Sequence, residues 1–103
     1  RLTPMFNEFE KCLYRNKPLT DYKFMVGGQV CVDKNFRGLG LMSRLYHATV
    51  KRLPSGYELC TTEISKRNTI SLNAHLKTGF EIIATYPDGN EIWDIVVWDI
   101  RKL

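Results

Sequence analysis

The stretch Arg37-Gly38-Leu39-Gly40-Leu41-Met42 has the residue types to hold an anion. It lies where a strand-like run, Phe24 to Val32, hands over to a helix-like run, Leu41 to Leu53. The first N–H groups of a helix have no intrahelical partner and carry partial positive charge. Glycines at that junction remove side chains that would keep a phosphate away from those N–H groups. The segment therefore reads as a seat for a phosphate or pyrophosphate. It is not a P-loop, because the string G-x-x-x-x-G-K-[ST] is absent from the chain. It is not a dinucleotide fingerprint either, because Ser43 stands where that pattern needs its third glycine or an alanine.

Other reactive residue types are scattered. Cys12, Cys31 and Cys60 are far apart and form no C-x-x-C, so a zinc knuckle or thioredoxin site is not indicated and a reducing cytosol is the simple reading. His47 and His75 stand apart from any cysteine or carboxylate ligand pattern, so no metal is expected. Cys31 could act as a nucleophile only beside an activating base. A buried apolar cysteine is the simpler reading.

These residues need elements to position them. Met5, Phe6, Phe9, Leu13 and Tyr14 recur at helical spacing and predict an amphipathic helix over residues 3–14, with Thr3 as N-cap and Pro4 opening it. Phe24–Val32 reads as a strand interrupted at Gly27-Gly28, which suggests a bulge or a close backbone approach. Met42, Leu45, Tyr46, Thr49, Val50 and Leu53 give the next segment one apolar side. Tyr57–Ile64 is a second strand, so a strand-helix-strand unit with parallel strands follows. Asn68 and Gly79 bracket a short helix. Phe80–Tyr86 is a third strand, Pro87-Asp88-Gly89-Asn90 a turn, and Glu91–Ile100 a fourth strand. That last strand is apolar on both faces, which places it inside a sheet; Trp93 and Trp98 are most simply core residues.

The whole chain is one domain of 103 residues, with a net charge of +4 that suits a polyanionic ligand. Its basic residues are dispersed, which argues against a nucleic-acid interface. No apolar run is long enough to cross a membrane. The start, Arg1-Leu2-Thr3-Pro4, has neither an initiator Met nor a signal-peptide pattern, and suggests a processed, cloned or truncated start.

Several motifs together resemble the GNAT N-acetyltransferase superfamily. Its central motif, [Q/R]-x-x-G-x-[G/A], is matched at Arg37 and Gly40 and departs at Met42. Val30-Cys31-Val32 before that turn, Asn68 after it, and Ala74-His75-Leu76-Lys77-Thr78-Gly79-Phe80 follow in the family's order. The resemblance implies an α/β (α+β) mixed sheet of the acyl-CoA N-acyltransferase type. Its order is strand-helix-strand-helix-strand-strand after one N-terminal helix, with the last strand beside the second parallel strand. It also implies that the family's first strands are missing. The Phe24–Val32 strand would then have an open apolar edge, to be covered by an upstream segment or by a second copy of the chain.

The resemblance implies acetyl-CoA as co-substrate, no metal, and direct acetyl transfer to a primary amine. The N–H groups of Arg37, Gly38, Leu39, Gly40, Leu41 and Met42 would hold the CoA pyrophosphate. Backbone groups of Val30, Cys31 and Val32 would run beside the pantetheine arm. Asn68 would contact that arm or cap its helix. His75 occupies the position from which many relatives use a tyrosine to protonate the leaving thiolate. Glu63, at the end of the second parallel strand, is the candidate base for the acceptor amine. Tyr57 and Tyr86 could line an acceptor pocket, but nothing in the sequence selects them. The rival readings are a non-catalytic acyl-CoA-binding module and a basic nucleic-acid-binding domain.

Overall fold

The computed structural model describes residues 2–26 and 41–101, without the side chains of Leu2, Thr3, Leu41, Met42, Ser43 and Leu45. Its elements in chain order are α1 (Leu2–Phe9), β1 (Leu13–Tyr14), β2 (Lys17–Pro18), β3 (Phe24–Val26), α2 (Leu41–Lys51), β4 (Leu59–Ser65), α3 (Thr69–Thr78), β5 (Glu81–Asp88) and β6 (Glu91–Asp99). The second half of the predicted Phe24–Val32 strand, with the Gly27-Gly28 interruption, lies outside the described residues.

The main sheet is mixed, in the order β3-β4-β6-β5. β3 and β4 are parallel, from Phe24↔Leu59 to Val26↔Thr61. β6 lies antiparallel between β4 and β5, as its two-sided apolar pattern predicts. Ile95, Val96 and Val97 are wholly buried, and burial of each side chain contributes roughly 1.5–3 kcal/mol. β3 is the outermost strand on its side among the described residues.

Alternation along the strands divides the core in two. On one face, Leu59, Ile95, Val97 and Tyr86 pack with Met5 and Phe9 of α1 and with Tyr14, Leu19 and Tyr22. On the other, Cys60, Ile64, Val96 and Trp98 pack with Tyr46 of α2 and with Phe80. The helices α2 and α3 contact one another on this second side.

The N-terminal helix is shorter than its periodicity predicts. It ends at Phe9, and Leu13 and Tyr14 instead form a two-residue hairpin with Lys17 and Pro18. Arg15 and Asn16 form its turn with φ of 51° and 65°, the left-handed pair that matches hairpin twist. The reason lies in burial. Tyr14 is buried while Leu13 is exposed, so these residues follow a period of two, not 3.6. Tyr22 donates its hydroxyl to the Tyr14 carbonyl at 3.0 Å and fixes the hairpin over the sheet.

The Asn68–Gly79 helix forms as predicted. At its end the Phe80 N–H bonds the His75 carbonyl at 3.1 Å and the Gly79 N–H bonds the Leu76 carbonyl at 3.2 Å. Gly79 has φ 131°, and a Cβ there would lie 2.9 Å from Trp98 Nε1. Gly79→Ala should therefore destabilise the chain by roughly 1–3 kcal/mol through backbone strain and overpacking. Urea unfolding of the variant checks this; an unchanged midpoint would contradict the stated geometry.

Candidate active site

Glu63 lies on β4 opposite Ile95, and Tyr86 lies on β5 opposite Trp93. Ile95 and Trp93 are two residues apart on the intervening strand, so Glu63 and Tyr86 share the face that α1 covers. The Tyr86 hydroxyl donates to Glu63, 2.5 Å from Oε1 and 3.1 Å from Oε2. Tyr86 is buried and Glu63 half-buried. The described pairing of β3 with β4 ends at Thr61, two residues before Glu63.

His75 lies on the opposite face. Its Nδ1 is 2.7 Å from the Ser71 carbonyl, and its Nε2 is 2.7 Å from the Tyr46 hydroxyl. A carbonyl can only accept, so Nδ1 carries the proton of the neutral ring. Nε2 is then an acceptor, and the Tyr46 hydroxyl is the donor. The ring is 4% exposed and packs edge-on against Tyr46 and Phe80. Burial lowers its pKa, and the Ser71 carbonyl opposes that shift only in part. Proton donation by His75 needs an imidazolium, and this environment disfavours that form.

Asn68 stands at the start of α3, and its Oδ1 accepts the Ser71 N–H at 3.1 Å, the capping half of its expected role. The loop that presents it is held by charge. Arg67 Nη2 donates to Glu91 Oε1 at 2.5 Å, and Ser65 Oγ donates to Glu91 Oε2 at 2.6 Å. Lys66 Nζ lies 2.9 Å from Asp94 Oδ1, which also accepts the Thr85 hydroxyl at 2.7 Å. Asp94 is wholly buried, so these partners are what make its burial tolerable.

Val30, Cys31, Val32, Arg37, Gly38, Leu39 and Gly40 lie outside the described residues. Leu41 and Met42, the last two residues of the expected anion seat, are the first two residues of α2 among the described residues. Burial pushes the Cys60 thiol up to about 12, so it is not a thiolate at neutral pH. Among the described residues no group of three or more His, Cys, Asp and Glu side chains could hold a metal ion. No helix among them is long and apolar enough to cross a membrane.

Sequence reasoning missed three polar partners. Asp94 was detectable as a carboxylate inside the apolar run Trp93-Asp94-Ile95-Val96, where a buried charge demands a counterion. Tyr46 was read only as one of the apolar positions of its helix. Tyr86 was named without a partner, because its bond to Glu63 spans β6 and depends on register.

The mixed sheet, with a parallel pair joined through α2 and the last strand inserted beside β4, defines the acyl-CoA N-acyltransferase type of fold. The acetyltransferase (GNAT) family model matches residues 7–80, and the chain belongs to that family. A crystal structure of an acetyltransferase shares the fold with a TM-score of 0.61 at 16% sequence identity. The likeness covers 87% of this chain and 47% of that one, so the chain spans about half the length of its structural relative. No curated protein matches the chain.

The Tyr46–His75 bond yields a prediction about stability. Tyr46→Phe or His75→Leu alone leaves a buried polar atom without its partner and should cost roughly 1–3 kcal/mol, whereas both together should cost less than the sum. The folded His75 pKa lies below its ordinary value of 6.5, so the unfolded chain takes the proton first as pH falls. This contribution is full above the ordinary value, declines as pH falls toward the folded value, and then levels off. Urea unfolding between about pH 7 and pH 5 should show a shallower decline in the double variant. Equal slopes would remove His75 as the cause.

Proposed function

We propose that the chain transfers an acetyl group from acetyl-CoA directly to a primary amine. The observation that carries this reading is Glu63, on a strand of the parallel pair of a GNAT fold and held by the Tyr86 hydroxyl. A carboxylate is the group needed to take a proton from an ammonium, because only the neutral amine is nucleophilic. Acetyl-CoA would supply the activated acyl group. The backbone N–H groups of Arg37 through Met42 would hold its pyrophosphate, in keeping with α2 beginning at Leu41. Val30, Cys31 and Val32 would line its pantetheine arm, with Asn68 near the same arm.

In this reading His75 ties α3 to α2 through Tyr46 and does not protonate the thiolate. Burial, the Ser71 carbonyl and the acceptor role of Nε2 support that assignment. An upstream segment or a second copy is proposed to cover the β3 edge. The acyl-CoA-binding module remains the alternative and predicts binding without turnover.

The test is acetyl-CoA titration together with release of free CoA thiol across a panel of primary amines: spermidine, tyramine and a lysine peptide. Arg37→Glu should weaken acetyl-CoA binding at least tenfold, by roughly 1.4 kcal/mol or more, because it places a negative charge at the phosphate seat. Unchanged affinity would refute the pyrophosphate assignment. Glu63→Gln should lower kcat on the order of a hundredfold with acetyl-CoA affinity retained. Normal turnover in that variant would dismiss Glu63 as the base.

A further inference from the structure

Tyr86 is remote from the glycine segment in sequence and lies on an outer strand of the described sheet, yet its hydroxyl meets the carboxylate of the candidate base. Glu63 is on β4, Tyr86 is on β5, and β6 runs between them. The tyrosine therefore reaches across two strand spacings, roughly 10 Å in all, over the side chains of β6. Its ring is held in the core with Ile95 and Val97, while Trp93 and Ala84 pack against the same cluster. A tyrosine has two side-chain torsions and a glutamate three, so the buried ring is the fixed partner and the carboxylate the one being fixed.

We infer that Tyr86 is the positioning residue for Glu63, an inference that rests on the reading of Glu63 as the base. A single phenolic proton shared over 2.5 Å and 3.1 Å fixes the plane of the carboxylate. A carboxylate has about four lone-pair sites, so this bond leaves acceptor capacity for an ammonium proton. Without it, the carboxylate loses one of the contacts that orient it and spends less time in the orientation that abstracts a proton. Tyr86 is thus assigned to act through Glu63.

Tyr86→Phe retains the ring in the core and deletes only the hydroxyl, so the fold should survive. With the same three amines, kcat should fall roughly ten- to hundredfold while acetyl-CoA affinity stays unchanged. The double variant, Tyr86→Phe with Glu63→Gln, should be no slower than Glu63→Gln alone, because the hydroxyl has nothing left to orient. Full turnover in Tyr86→Phe, or equal loss whether or not Glu63 is intact, overturns the inference while leaving the base reading in place. Full turnover in Glu63→Gln overturns both. A second readout needs no turnover. In carboxyl-labelled protein, the Glu63 carbon resonance, identified by its loss in Glu63→Gln, should move in Tyr86→Phe. A resonance that stays put overturns the inference.

Discussion

Burial of β6 on both faces is the constraint on which the rest depends. A strand with apolar residues pointing both ways must lie between neighbours and beneath cover on each side. The ladder from Leu59↔Asp99 to Ser65↔Trp93 meets that need on one side, and β5 meets it on the other. Once that register is set, every polar group on these strands has an assigned face. A slip of one residue would exchange the faces, turning Ile95 and Val97 toward α2 and Val96 and Trp98 toward α1, and would separate each buried polar group from its partner. The short α1 and its hairpin, and the α2–α3 pair, supply the two covers.

The two faces have opposite chemistry. One presents a carboxylate held by a phenol, with α1 beside it. The other buries a neutral histidine and a tyrosine that satisfy each other. The histidine position faces the second cover because α3 begins at the Asn68 cap and ends at Gly79. Its carbonyl and both ring nitrogens are engaged, so this residue joins α3 to α2 and also closes α3 at its end. Tyr46 of α2 supplies the phenol hydroxyl that the His75 ring accepts.

Much of this was legible before the structure. The helix read from Leu41, the two-sided final strand and the Asn68–Gly79 helix are local or periodic signals. They survive folding because their causes are local: helical period, alternation, capping. The hairpin at residues 13–18 was not legible, because Leu13 and Tyr14 fit a helical period counted from Met5 and Phe9. Tertiary burial of Tyr14, and the left-handed turn at Arg15-Asn16, decided the matter. Glu63 could be singled out from its place at a strand end. Its partner could not, because Tyr86 lies 23 residues away in sequence and two strands away in space.

The same contrast explains why buried polar residues were the least legible part. An apolar residue needs only a side to face, and periodicity supplies that. A buried donor or acceptor needs one particular atom at one distance, which only the register provides. Asp94 with Lys66 and Thr85, Tyr46 with His75, and Tyr86 with Glu63 are all of this kind. Each pair joins elements that are separate in sequence, so each also penalises an alternative packing of those elements. The polar bonds therefore discriminate among folds that the hydrophobic pattern alone would permit. The Glu63 carboxylate, proposed as the base, accordingly meets its phenol partner only through the register that β6 sets between β4 and β5.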